Sequence, residues 1–212
     1  HDPYSASKAG AELVVDAYRS SYFPADRVED HGVRLASVRA GNVIGGGDWA
    51  VDRIVPDAVR ALSSGKDLVV RNPRSTRPWQ HVLEPLSGYL QLAGRLHATD
   101  DPERWAGAWN FGPFPSEEAT VGRLADAVVG AWGSGRWVSP ASAERDVEAA
   151  SLRIAADKAI SCLGWRPRWG FDETVRRTVA WYRRYFDGGG DSMRSASLAD
   201  IAAYEASGGG MS

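Results

Sequence analysis

Tyr4 and Lys8 stand four residues apart in the stretch His1-Asp2-Pro3-Tyr4-Ser5-Ala6-Ser7-Lys8-Ala9-Gly10-Ala11-Glu12-Leu13. In a helix that spacing stacks the two side chains on one face, and an ammonium held beside a phenol favours the phenolate. Such a tyrosine can exchange a proton with a substrate hydroxyl near neutral pH, whereas a free phenol titrates near ~10. Ordinary solvated helix faces carry the same spacing, so the pair alone fits either reading. Two later stretches add ligand-binding chemistry. Gly45, Gly46 and Gly47 form a triplet inside Arg39-Ala40-Gly41-Asn42-Val43-Ile44-Gly45-Gly46-Gly47-Asp48-Trp49. Glycines permit positive φ and close approach to a ligand, or simply make a flexible loop. Arg71, Arg74 and Arg77, next to Pro73, Pro78 and Trp79, bring together guanidinium forks that match diphosphate oxygens; the alternative is a solvated turn.

The elements that must position these groups alternate between helix and strand. Pro3 suits a first helical turn, and an apolar stripe of Leu13, Val14, Ala17 and Tyr18 predicts a helix over residues 4–22. Gly32 opens a β-rich run over 33–39 that reads as a buried parallel strand. A helix over 52–64 follows the glycine triplet, which therefore lies between a strand and a helix, where ligand-lining turns of doubly wound sheets occur. Further helices are expected over 84–97, over 120–132 with Thr120 as N-cap, over 157–163 up to Gly164, over 172–186 and over 199–206. Short strands are expected over 109–111, 136–138 and 152–154, and the glycine runs at 188–190 and 208–210 read as linkers. The fold class is α/β: a partial Rossmann-like parallel sheet with helices, plus a smaller α/β substrate-binding lobe.

Composition narrows the function. With 43% hydrophobic and 25% charged residues, the 212-residue chain can bury a core in one or two compact units. A net charge of -2 gives no basic field, so nucleic acid is not an expected partner. The single cysteine, Cys162, excludes an internal disulfide and fits a reducing, cytoplasmic setting. No apolar run long enough for a membrane and no metal-ligand spacing are found. Tryptophans default to core packing; only Trp49 and Trp79, beside the glycine and arginine stretches, are expected at a ligand cleft. His81 reads as a satisfied structural histidine, and Cys162 has no activating neighbours in sequence.

Tyr-Ser-Ala-Ser-Lys-Ala, with Glu12-Leu13 one turn on, resembles the active-site helix of the extended short-chain dehydrogenase/reductases, the NAD-dependent nucleotide-sugar epimerases and dehydratases. The resemblance implies that Tyr4 handles the sugar hydroxyl proton, that Lys8 assists it and binds the nicotinamide ribose, and that NAD is the cofactor. Arg-Ala-Gly-Asn-Val-Ile-Gly-Gly-Gly-Asp-Trp and Arg-Asn-Pro-x-x-Thr-Arg-Pro-Trp-Gln-His-Val-Leu-Glu-Pro-Leu are more specific, and resemble the CDP-glucose 4,6-dehydratase branch. That resemblance covers most of residues 1–187. It implies that Asn42 hydrogen-bonds the sugar nucleotide, that Arg53 and Arg77 meet its phosphates, and that Val55, Pro56 and Val70 line the nucleobase region.

The reaction so implied is an internal redox cycle on CDP-glucose. Tyr4 and Lys8 take the C4 hydroxyl proton as hydride passes to NAD, the new ketone acidifies C5, water is lost across C5 and C6, and returned hydride leaves the 4-keto-6-deoxy sugar. The resemblance further implies residues 1–52 as part of an NAD-binding domain to which 76–100 return, 53–187 as mainly a nucleotide-sugar lobe, and 188–212 as a glycine-rich tail with a short helix. No G-x-G-x-x-G fingerprint after a strand occurs in the 212 residues. The expectation is therefore a carboxyl-terminal portion of a longer, homo-oligomeric enzyme, inactive by itself. The competing expectations are another NAD-dependent epimerase or reductase on the same scaffold, and a non-catalytic sugar-nucleotide-binding module. Catalysis further requires the Tyr4 ring to face the cleft of the glycine triplet and the arginine-rich turn.

Overall fold

A computed structural model describes residues 2–140, 151–188 and 193–208. The first helix, α1 (Pro3–Ser21), starts where expected because Asp2 caps it: its carboxylate accepts from the Ser5 amide at 2.9 Å and the Ser5 hydroxyl at 2.7 Å. A single turn, α2 (Val28–His31), ends at Gly32 in the left-handed region, φ 71°. The expected strand over 33–39 forms later and in two parts, β1 (Ala36–Ala40) and β2 (Asn42–Ile44). Gly41 divides them where the chain presses on Pro78; a Cβ there would stand 2.6 Å from the Pro78 carbonyl oxygen.

The chain continues through α3 (Ile54–Ser63), β3 (Leu68–Val69), β4 (Thr76–Arg77), β5 (Trp79–His81), α4 (Leu83–Ala98), α5 (Pro102–Trp105), β6 (Gly107–Phe111) and β7 (Ala119–Thr120). It then forms α6 (Val121–Trp132), β8 (Trp137–Val138), a π-helical turn (Ala159–Leu163), α7 (Phe171–Phe186) and α8 (Met193–Ala206). Three parallel pairs, β1 with β6, β2 with β5 and β3 with β8, and one antiparallel pair, β4 with β7, give the α/β class that the alternation predicts. The strand expected over 152–154 is absent; Ser151 makes only an isolated bridge to Thr76. The polar stretch after residue 140 and most of the two glycine runs lie outside the described residues.

Two apolar clusters hold these elements. Val55, Val59 and Leu62 of α3, Leu124 and Val128 of α6, Phe171, Val175, Val179 and Tyr182 of α7, and Trp79 form one. Leu92, Trp105, Trp109, Phe111, Leu163 and Trp165 form the other, where Gly88 lets α4 lie directly on the Phe111 ring. Glu84 joins them as a buried carboxylate that accepts from the Arg168 amide at 3.0 Å, the Trp169 amide at 2.7 Å and the Tyr204 hydroxyl at 2.6 Å. That last bond docks α8, which starts six residues earlier than the expected 199–206 and packs its Tyr204 ring on Trp169.

The helix expected over residues 4–22 forms, but its apolar stripe stays uncovered. None of its residues is buried, and Leu13, Val14 and Tyr18 are exposed, because nothing among the described residues covers that stripe. What anchors α1 is polar: Glu12 accepts from Ser37 Oγ at 2.9 Å and Arg39 Nε at 2.7 Å, both on β1.

Candidate active site

Beyond the carboxyl end of β1, along β2 and the segment after it, opens a cavity of about 690 Å³, within the range of small-molecule sites. All six residues expected to bind substrate line it: Asn42, Arg53, Val55, Pro56, Val70 and Arg77. Asn42 enters from the first residue of β2, fixed by its amide bond to the Pro78 carbonyl at 2.9 Å. Arg53 caps α3, and Val55 and Pro56 occupy its first turn, where the missing proline N–H leaves no bond unmade. Pairing with β8 presents Val70, 2% exposed, through the Val70 amide bond to Val138. Arg77 is a buried cation on β4, with Nη1 donating to the Thr76 carbonyl at 2.8 Å. Trp79 lines the cavity as expected, its Nε1 bonded to the Ala119 carbonyl at 3.1 Å.

Aspartates on the same wall are mostly neutralised. Asp57 is held by Arg60, Asp67 by Arg136 at 3.0 Å and Asp52 by Arg71 at 3.0 Å, while the Asp48 carboxylate accepts from the Ala50 amide. The repulsion that free carboxylates would exert on an anionic ligand is therefore damped.

Tyr4 and Lys8 do share a face, with Lys8 Nζ 5.7 Å from the centre of the Tyr4 ring. They do not line the cavity, and Tyr4 is 67% exposed. The structure therefore brings Tyr4 and Lys8 together on one exposed face of α1 and does not bring them to the cavity wall.

Two expectations are corrected. Trp49 does not line the cavity; it packs on Tyr182, Tyr185 and Phe186, with ring centres 4.9 to 6.2 Å away. Gly47, at φ 88°, turns the backbone there, and the Tyr182 hydroxyl donates to the Asp48 carbonyl. The glycine triplet is only in part a ligand turn. Gly45 lines the cavity, but Gly46 is needed because the Trp181 indole occupies the place of its missing side chain. His81 is structural as expected: burial brings its pKa down to about 4, and its Nδ1 accepts from the Leu83 amide at 3.3 Å.

Asp48 and Asp52 were not legible as wall residues. Expected inside a helix, Asp52 instead sits at φ 60°, one residue before the Arg53 cap. Arg71 carried a signal, its place among three closely spaced arginines. No group of metal-ligating side chains and no helix long and apolar enough to cross a membrane occurs among the described residues.

The model of the NAD dependent epimerase/dehydratase family matches residues 1–110. Over 205 residues the chain is 45% identical to a CDP-glucose 4,6-dehydratase from Salmonella typhimurium, covering 96% of this chain and 56% of that protein. A crystal structure of dTDP-glucose 4,6-dehydratase from Bacillus anthracis in complex with NAD superposes with a TM-score of 0.68 at 22% identity, over 88% of this chain and 54% of the other. The UDP-glucose 4-epimerase of Thermus thermophilus in complex with NAD gives 0.66 at 25% identity, over 86% and 54%. The chain spans about half the length of the relatives it matches.

Proposed function

The chain belongs to the NAD dependent epimerase/dehydratase family, and on that premise we propose that it carries the sugar-nucleotide site and the proton-transferring tyrosine of a CDP-glucose 4,6-dehydratase. The observation that carries this reading is convergence: Asn42, Arg53, Val55, Pro56, Val70 and Arg77, drawn from separate segments of the chain, meet around one cavity. Its mixed lining of arginines, an asparagine and apolar side chains suits a nucleoside diphosphate sugar. Arg53 and Arg77 bind the phosphates, Val55, Pro56 and Val70 cover the base, and Asn42 orients the sugar.

Tyr4 and Lys8 fit a nicotinamide nucleotide by the chemistry of their donors. An ammonium with three N–H groups suits ribose hydroxyls, and a phenol beside it suits a hydroxyl about to be oxidised. Bound NAD would supply reversible oxidation of the sugar at C4. Tyr4 accepts the C4 hydroxyl proton, Lys8 keeps a positive charge beside that oxygen, and elimination of water across C5 and C6 becomes accessible once C4 is a carbonyl. The 45% identity to a CDP-glucose 4,6-dehydratase supports this over epimerisation or simple reduction. A cytoplasmic setting is in keeping with the single cysteine, and the same reading assigns homo-oligomerisation to the full-length protein.

Incubating the protein that carries this chain with CDP-glucose and NAD tests the reading. A product lighter by one water, with a carbonyl at C4, is expected; Tyr4→Phe abolishes it while CDP binding persists. An isomeric product of unchanged mass contradicts it in favour of an epimerase. The exposure of Tyr4 favours a second reading, a sugar-nucleotide-binding module without chemistry. Binding with no turnover, indifferent to Tyr4→Phe, would establish that one.

A further inference from the structure

The cavity wall carries an ion pair with a chemistry of its own. Asp52 Oδ1 lies 3.0 Å from Arg71 Nη2, and both residues line the cavity. The two other wall carboxylates held by arginines differ, because Arg60 and Arg136 stand off the wall. Asp52 and Arg71 side chains are 75% and 65% exposed, so the pair contributes little to stability and keeps polar atoms open to whatever enters. Asp52 also sits at φ 60°, in the left-handed region that aspartate enters more readily than most residues, and this backbone turn sets the direction its side chain takes.

We propose that Asp52 and Arg71 read the edge of the pyrimidine ring and select cytosine over uracil and thymine. This rests on the nucleotide reading above and adds to it the base preference and the residues that set it. A carboxylate beside a guanidinium offers an acceptor and then donors along one line. Cytosine offers the complement: its N4 amino group donates, and its N3 and O2 accept. Uracil and thymine present a carbonyl at C4 and an N–H at N3, so in the same pose acceptor meets acceptor and donor meets donor. Val70, directly before Arg71, and Val55, three residues after Asp52, are each 2% exposed and give the ring an apolar surface while its edge meets the pair. Discrimination then follows from unpaired groups in the wrong complex rather than from extra contacts in the right one.

Calorimetric titration of this chain with CDP, UDP and dTDP tests the proposal. CDP binds on the order of tenfold tighter than either competitor, as one read base edge gives. Asp52→Asn, whose amide can donate to a C4 carbonyl, lowers the CDP-to-UDP ratio by at least as much and leaves UDP binding equal or tighter. Asp52→Gly keeps φ 60° accessible and removes the carboxylate, so it too loses the preference in a chain whose turn is preserved. If CDP and UDP bind equally, or both variants keep the native ratio, the proposal is overturned while the nucleotide reading stands. If none of the three binds, the nucleotide reading fails and the selection falls with it.

Discussion

Glu12 holds Arg39 through a 2.7 Å hydrogen bond from Nε to its carboxylate. This bond ties a helix with no buried residue to the strand that leads, through Gly41, into Asn42 and the cavity. It is the means by which the Tyr4 helix keeps a fixed relation to the proposed substrate site.

Arg39, then burial in the opposite sense, then Ser37 set the Glu12 pKa, with a net fall to about 2. A lowered carboxyl pKa contributes stability above the ordinary value of 4.5, and the contribution is lost as pH falls from there toward about 2. Glu12→Gln should cost about 0.5–1 kcal/mol near pH 6, the scale of a partly exposed ion pair. Urea denaturation at a series of pH values should show the two proteins converging below about pH 3.

Glu84 gives the opposite slope. Burial raises its pKa, against the hydrogen bonds from Tyr204, Trp169 and Arg168 that lower it. A raised carboxyl pKa means a contribution fully present below 4.5 and lost as pH climbs through the folded value. Glu84→Gln keeps an oxygen for the Arg168 and Trp169 amides but makes the Tyr204 hydroxyl accept rather than donate, and should cost about 1 kcal/mol. Tyr204→Phe should cost about 1 kcal/mol and free α8, read as faster proteolysis near residue 193.

The α/β alternation and most helix positions were legible because they rest on local chemistry: the Gly164 stop, the Thr120 cap, and the core spacing of Val175, Val179 and Tyr182. The residues that line the cavity were picked out through the resemblance of two long motifs. Trp49 was misread because its aromatic partners arrive from α7, more than a hundred residues later. Gly46 was misread for the same reason, since nothing near it in sequence announces Trp181. Asp52 needed the positive φ itself, which no pattern of residue types encodes.

Gly46→Ala should therefore act on stability before it acts on binding. Its Cβ would enter the Trp181 indole, and forcing the two apart should cost about 2 kcal/mol or more. Thermal unfolding followed by tryptophan fluorescence would read both the loss and the moved ring. Gly45→Ala, which meets the Val82 Cγ1 at 2.8 Å, should be the milder of the two.

The central claim is that these 212 residues hold a nucleoside diphosphate around Arg77, apart from the Tyr4 and Lys8 pair. Titrating CDP into the native chain, Arg77→Ala and Tyr4→Phe, with folding of each checked by circular dichroism, tests it directly. We expect Tyr4→Phe to bind as the native chain does and Arg77→Ala to bind roughly tenfold or more weakly, the cost of losing a charged phosphate contact. No binding by the native chain, or a folded Arg77→Ala that binds CDP as tightly as the native one, would contradict it.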